Sequence, residues 1–208
     1  MILPSPRPRR LLLFTGMTAV LVGYLTVWLP GPSAGLRLIG LELGEWIKFL
    51  GVGQGRNLFY APPILLGLIM ALLTAGWKNG RWQTWVFRFL SIAVSLLAFP
   101  AVAAITGEPR SEWLARAIGI AAVMLAVVVA ALSSGSVANR QWVWWTVGAL
   151  SLLGIILPLW QYFVVRPVVS DILQQPIGIG LGLWLNCLGF LAILVVACWM
   201  LWGDKANR

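Results

Sequence analysis

The sequence predicts an all-α polytopic membrane protein with six transmembrane helices and an amphipathic helix on the outer membrane surface between the first two. Two observations lead to this fold class. Hydrophobic residues make up 60% of the 208 residues and charged residues only 10%, a balance that excludes an ordinary soluble domain. Apolar runs long enough to cross a bilayer also recur along the chain, separated by short polar stretches.

Six apolar segments account for most of the chain. A basic, proline-spaced tail at residues 1–10 precedes them, and a short polar tail at residues 203–208 follows. Residues 11–202 are expected to form one membrane domain, in which the first apolar run is a retained span rather than a cleaved signal peptide. The predicted spans are residues 11–29, 61–77, 89–106, 114–132, 142–164 and 177–202.

Prolines and tryptophans mark the positions of several span ends. Pro62 and Pro63 stand at the start of the second span, where a missing N–H group leaves no helical hydrogen bond unmade. Pro100 is expected to kink the outer half of the third span. Apart from Trp184, the 13 tryptophans lie near predicted membrane borders, as in the two aromatic belts of a bilayer protein.

Residues 33–60 form the longest segment outside the predicted spans. In residues 36–50, apolar residues recur at helical spacing and charged residues fill the rest of the wheel, which is typical of a helix lying on a bilayer. Its apolar face is expected to cover the outer ends of the bundle or to contact a partner. The following glycine-rich stretch predicts a loop that returns to the membrane. The candidate interaction residues are Leu36, Ile39, Leu43, Trp46, Ile47 and Leu50.

The distribution of charge predicts the orientation. The side that holds both termini carries nine basic residues and one acidic residue, whereas the other side carries six basic and five acidic residues. Because basic residues are retained on the cytoplasmic side, both termini are predicted to be cytoplasmic, in a bacterial plasma membrane. The arginines and tryptophans on that side suit anionic lipid, and a topology signal alone explains them equally well. The sequence contains no basic stripe with interleaved aromatic residues, so it does not predict nucleic acid as a partner.

Small residues line one face of the fourth predicted span and one face of the sixth. Gly119, Ala122 and Ala126 share a face in the fourth span, and Gly178 and Gly182 begin one in the sixth. Small side chains let helix backbones approach closely, so we expect these two helices to pack together. A contact within one subunit is favoured over a dedicated dimer interface.

Asn186 is the strongest polar group near the middle of a predicted span. An unpaired amide is costly in hydrocarbon, so we expect a structural hydrogen bond across the bundle, with contact to a substrate or pigment as the alternative. Arg56, Asn57 and Tyr60 stand beside the mouth of the second span. These three residues are candidates for contact with a lipid headgroup or an anionic ligand.

Five of the six acidic residues fall on the predicted outer side. Glu45 can pair with Lys48, and Glu112 precedes Arg116 by four residues, the favourable order for an ion pair on a helix. Solvated ion pairs are therefore favoured over a metal site or a catalytic carboxylate.

Catalytic chemistry has little support in the composition. Histidine is absent, which removes the commonest general base and the usual ligand of haem and of many transition metals. Cys187 and Cys198 are separated by about 16 Å along one helix, too far for a disulfide bond, and are expected to be packing residues. The sequence predicts no catalytic or metal-binding residue and indicates no particular cofactor.

The predicted function is that of a non-catalytic integral membrane protein. We expect an accessory or scaffold subunit that contacts other membrane proteins, itself or lipids, with the surface helix as the contact element. The alternative is a small oligomeric transporter or channel with a pathway near Asn186. A pathway normally contains an ionisable residue within the membrane, and the predicted spans have none near the midplane, which favours the accessory subunit.

Overall fold

The computed structural model describes residues 6–31, 37–50, 54–107, 109–133 and 140–206, and these are about 85% helical. Helices α1 to α8 are Pro6–Tyr24, Gly40–Ile47, Ala61–Leu73, Trp82–Ser95, Val102–Gly107, Arg110–Leu132, Arg140–Leu173 and Leu181–Ala206. Short 3-10 helices are Lys48–Leu50, Gln54–Tyr60, Thr74–Gly76 and Leu96–Ala98. Two strands, β1 and β2, are Val27–Pro30 and Arg37–Ile39.

Among the described residues, four helical segments are long and apolar enough to cross a membrane. They are Gly55–Gly76, Arg110–Leu132, Gln141–Leu173 and Leu181–Trp202. A further apolar segment, Trp82–Ala98, is shorter, and α1 begins with a basic turn. The protein is therefore a helical membrane protein.

Helices α1 and α8 lie side by side in opposite directions, with glycines at their contact. A methyl group on Gly16 would lie 2.9 Å from the carbonyl oxygen of Gly189, and one on Gly23 would lie 2.6 Å from the backbone nitrogen of Asn186. These glycines allow an approach that any Cβ atom would prevent. α8 also packs along α7, and α3 lies against α4, α6 and α7.

The small-residue faces of α6 and α8 do not meet in the way that the sequence predicted. Gly119 of α6 faces Ile64 of α3, and Gly182 of α8 faces Trp28. The remaining members of the two predicted faces are exposed or half-buried: Ala122, Ala126 and Gly178. The predicted pairing is wrong because a run of small residues shows that a helix can pack closely but does not specify its partner.

The described residues between α1 and α3 lie over one end of the bundle, which we call the capped end. α1 ends at Tyr24, and β1 then pairs antiparallel with β2. The predicted helical continuation of the first span to residue 29 is therefore wrong, because the backbone of Val27–Pro30 pairs with β2 instead of continuing the helix. α2 forms only part of the helix that the sequence predicted over residues 36–50.

The two largest groups of buried apolar side chains in the described part of the bundle lie at different levels. The first lies in the middle of the bundle and includes Met17, Val20, Leu66, Ile69, Phe190 and Ile193. The second joins the capped end to α7 and α8 and includes Trp28, Leu43, Ile47, Phe59, Tyr162 and Leu183. The apolar face of α2 therefore covers the bundle.

Several predicted boundaries move in the structure. α4 begins earlier than the third predicted span, so Arg88 lies within a helix rather than in a turn. The third predicted span is broken at Pro100, where a kink was expected. α7 continues to Leu173, so most of the connection predicted at residues 165–176 is helical.

Candidate functional site

Polar side chains from three separate parts of the chain meet at the capped end. Glu45 comes from α2, Tyr60 from the 3-10 turn that leads into α3, and Arg116 from α6. Nη1 of Arg116 donates a hydrogen bond of 3.0 Å to Oε1 of Glu45, and the Tyr60 hydroxyl donates one of 2.7 Å to the same oxygen. Together with Arg56 and Glu112, these residues are called the ionic cluster below.

Tyr60 also stacks on Arg116. The Arg116 Cζ atom lies 4.2 Å from the centre of the Tyr60 ring, within the range of a cation–π contact. On α2, Gly44 faces this ring, and a Cβ atom there would lie 2.5 Å from a ring carbon. Glycine at this position therefore lets α2 bring Glu45 next to Arg116.

A second ion pair completes the ionic cluster. Nε of Arg56 lies 2.8 Å from Oε2 of Glu112, and Arg56 is only 4% exposed. The neighbouring Gly55 faces the buried side chain of Gln161 in α7, so a larger residue at this position would collide with it. The two ion pairs fasten α2 and the 3-10 turn before α3 to α6.

The charges pair differently from the sequence prediction. One expected pair of close neighbours is present, since Nζ of Lys48 lies 3.5 Å from Oε2 of Glu45. Glu112 and Arg116, which were expected to pair with each other, instead bind partners on other elements. The expectation of a solvated ion pair is wrong for Arg116, because its side chain is buried. Arg56, a predicted contact for lipid or an anionic ligand, is also buried and pairs with Glu112.

The surroundings of Glu45 favour its charged form. Burial alone would raise the pKa of this carboxyl, but the hydrogen bonds from Tyr60 and Arg116 and the charges of Arg116 and Lys48 outweigh that effect. The pKa therefore lies below its usual value of 4.5, and Glu45 is ionised at neutral pH. In this state the carboxylate balances Arg116 and accepts hydrogen bonds.

Arg116 has donor groups that the ionic cluster does not use. The residue is 2% exposed, and neither Nε nor Nη2 has a hydrogen-bond partner among the described residues. A guanidinium group binds a carboxylate or phosphate through two such parallel N–H groups. The hydroxyl of Tyr24 is also buried and has no hydrogen-bond partner among the residues that the structure describes. Because α6 is one of the candidate spans, Arg116 is a candidate for ligand contact.

Asn186 is fully buried in α8. Its Nδ2 atom donates a long hydrogen bond of 3.4 Å to the carbonyl oxygen of Gly154 in α7, whereas Oδ1 has no partner within the described ranges. The amide therefore makes a bond between helices of the kind that the sequence predicted. The predicted ligand residue Asn57 is half-buried, and its Oδ1 atom likewise has no partner there.

Two of the predicted interaction residues face the protein's own core. Leu43 and Ile47 are each 1% exposed, so this chain already covers them and they are not available to a partner. Ile39 is half-buried in β2, whereas Trp46 is 40% exposed. Leu36 and the side chain of Leu50 lie outside the described residues.

A third buried arginine was missed by sequence analysis, which assigned it to a turn. Arg88 is 1% exposed and donates hydrogen bonds of 2.7 Å to Oδ1 of Asn79 and 2.9 Å to the carbonyl oxygen of Ala130. It also donates to the hydroxyl and carbonyl oxygens of Thr74. Arg88 therefore caps the C-terminal ends of α3 and α6, where unpaired carbonyl groups carry partial negative charge. The available signal was an arginine followed directly by an apolar run.

The fold and this site define a helical membrane protein with a partly buried ionic cluster at one end of its bundle. Within the described ranges, no three Cys, Asp or Glu side chains lie together in a way that could hold a metal ion. No family model, no curated protein and no solved structure matches the chain. The geometry of this chain is therefore the basis for inferring its function.

Proposed function

We propose that this protein is a non-catalytic accessory or scaffold subunit that binds other membrane proteins through its capped end. The observation that carries the proposal is a pair of exposed aromatic side chains on a segment held by ion pairs to buried arginines. Trp46 is 40% exposed and Phe49 is 76% exposed. Both follow Glu45, which is fastened to Arg116, within about one helical turn.

The surface around Trp46 is apolar beyond these two aromatic residues. Trp46, Ile172 and Leu173 border a small apolar cavity of about 40 Å³ between α2 and the end of α7. Ile172 is itself 56% exposed. Tryptophan is enriched among the residues that contribute most to binding at protein interfaces. A surface that is ordered before binding also loses less conformational entropy when a partner docks.

The ionic cluster supports a structural role rather than a catalytic one. Its two carboxylates, Glu45 and Glu112, each face a buried arginine, and the pKa of Glu45 is lowered. A general acid or base works best when its pKa is near the operating pH. The cluster is better suited to holding α2 and the following 3-10 turn on α6.

We further propose that six helices cross the membrane, with both termini in the cytoplasm of a bacterial cell. The antiparallel contact of α1 with α8 supports a crossing by α1, since Arg9 stacks on Trp199 at one end and Gly23 meets Asn186 nearer the other. α4 lies along both α3 and α6, which supports a crossing by α4. The excess of basic residues on the side of the termini supports the cytoplasmic assignment.

Affinity purification from native membranes in a mild detergent tests the accessory role. We expect a membrane protein to copurify in a fixed ratio and to be lost from Trp46→Glu and Phe49→Glu. Trp202→Glu is a matched control because Trp202 is 79% exposed and lies near the end of α8 that is far from the capped end. Equal recovery of the partner with all three variants would contradict the proposal, as would the lack of any partner in stoichiometric amount.

The unpaired edge of Arg116 favours a second candidate function, a small oligomeric transporter or channel for an anionic solute, with Asn186 along its pathway. A carboxylate or phosphate group would satisfy Nε and Nη2, which have no partner in the described part of the chain. Uptake of labelled carboxylates and phosphate into proteoliposomes separates the two functions. A transporter would show flux that Arg116→Lys reduces, whereas an accessory subunit would show no more flux than empty vesicles.

A further inference from the structure

A groove of about 770 Å³ follows the exposed side of α1. Phe14, Thr18 and Val22 line it along α1, and Leu185 of α8 contributes to it. Arg10 is the first residue of the lining and lies one helix turn from the start of α1. The groove is therefore a largely apolar surface groove with a positive charge at one end.

The charged end of the groove lies at the depth expected for lipid headgroups. The adjacent Arg9 lies over the Trp199 ring, with 6.0 Å between its Cζ atom and the ring centre, and its Nη1 atom lies 3.9 Å from Sδ of Met200. Tryptophan and arginine side chains near helix ends concentrate at the boundary between headgroups and hydrocarbon. Arg10 follows Arg9 in the same turn, so its guanidinium group reaches the same boundary.

The length of the groove matches one half of a bilayer. Arg10 and Val22 are separated by about 18 Å along α1, at about 1.5 Å per residue. The hydrocarbon thickness of one leaflet is about 15 Å, half of a core of about 30 Å. The groove thus has the length of one acyl chain, whereas a partner's transmembrane helix would need a contact surface running the full thickness of the core.

We infer that this groove binds one anionic phospholipid, with an acyl chain along α1 and the phosphate on Arg10. Arginine binds phosphate oxygens through charge-assisted hydrogen bonds, and the neighbouring Arg9 adds positive charge that favours a headgroup of net negative charge. Phe14 and Leu185, which line the groove, contact the acyl chain of the lipid. This inference goes beyond the proposed function, since the groove begins at the end of the bundle opposite Trp46.

Native mass spectrometry of the purified full-length protein tests this inference, with phosphatidylglycerol and phosphatidylcholine of identical acyl chains as probes. We expect one phosphatidylglycerol to bind in preference to phosphatidylcholine by about tenfold, as a charge-assisted contact provides. Arg10→Gln should remove most of this preference. Thr18→Trp, which places a large side chain in the groove at an exposed position, should weaken the binding of both lipids.

Arg81→Gln is the matched control, because Arg81 is exposed at the same end of the bundle but outside the groove lining. Equal binding of the two lipids to the unmodified protein would overturn the inference and indicate general lipid contact. Equal effects of Arg10→Gln and Arg81→Gln would overturn it as well, since diffuse charge would then explain the preference. Copurification of a partner with the Trp46 and Phe49 variants is a separate measurement from lipid binding. The accessory role and the lipid site can therefore fail independently of each other.

Discussion

The guanidinium group of Arg116 lies 3.0 Å from the carboxylate of Glu45, although 71 residues separate them in the chain. Arg116 is buried in a helix that is long and apolar enough to cross a membrane, whereas the Glu45 side chain is 35% exposed on α2. The pair therefore connects the interior of the bundle with the segment that covers its end. Tyr60 strengthens the connection because it bonds to the carboxylate and stacks on the guanidinium.

Loss of the Glu45 carboxylate should destabilise the protein through the arginine that it leaves behind. We expect Glu45→Ala to lower the free energy of unfolding by about 1 to 3 kcal/mol, because Arg116 would remain buried without its partner. Lys48→Ala, which affects an exposed pair, should change it by less than about 1 kcal/mol. Thermal unfolding in detergent measures both. If Glu45→Ala and Arg116→Met were strictly additive in the double variant, the coupling between them would be disproved.

The stability of the protein should decrease in acid through Glu45. The pKa of Glu45 is lower in the folded state than its usual value of 4.5, so the ionised form favours folding. This stabilisation is complete above about pH 4.5 and is lost as the pH falls through the lower, folded-state pKa. Melting temperatures of the unmodified protein and Glu45→Gln, measured from pH 7 to pH 3, should converge at low pH. A constant difference between the two proteins would argue against this account.

Arg88 should be essential for joining the ends of α3 and α6. We expect Arg88→Met to lower the free energy of unfolding by about 2 to 4 kcal/mol, because buried carbonyl groups and Oδ1 of Asn79 would lose their charged donor. Arg81→Met is the control, since Arg81 is an exposed arginine close to Arg88 in sequence and should stay within about 0.5 kcal/mol. Equal melting temperatures for the two variants would show that the cap is dispensable.

The contact between α1 and α8 should not tolerate a side chain at Gly23. Gly23→Ala would place a methyl group 2.6 Å from the backbone nitrogen of Asn186, so the helices must move apart. In Gly148→Ala of α7 the new methyl group would meet its nearest neighbour at 3.7 Å, an ordinary contact, which makes it a matched helical control. We expect a clear drop in the melting temperature for Gly23→Ala alone. Similar behaviour of both variants would refute the close approach at Gly23.

Thiol labelling should place the capped end outside the cell. In a background in which both native cysteines, Cys187 and Cys198, are replaced, Phe49→Cys should react with a membrane-impermeant maleimide on intact cells. Lys78→Cys should react only after the membrane is permeabilised, because Lys78 lies in the turn at the opposite end of α3. The reverse pattern would invert the proposed orientation.

The sequence by itself determined the class of the protein and the approximate position of its apolar helices. The fourth predicted span, residues 114–132, falls within α6, and the second predicted span coincides with α3 and its following 3-10 turn. These predictions succeed because the length and hydropathy of a helix are local properties of the chain. The end of α1 was missed, since the hydropathy of residues 25–29 is also compatible with the strand that forms there.

Only the tertiary structure decided which groups are partners. The sequence predicted that Glu112 and Arg116 would pair as neighbours on one helix. In the fold, Arg116 pairs with Glu45 and Glu112 pairs with Arg56. The fold also places Leu43 in the core, and the glycines of α8 contact α1 rather than α6. Hydrophobic periodicity specifies which face of a helix is buried, whereas the identity of the facing helix depends on how all the helices pack around one another.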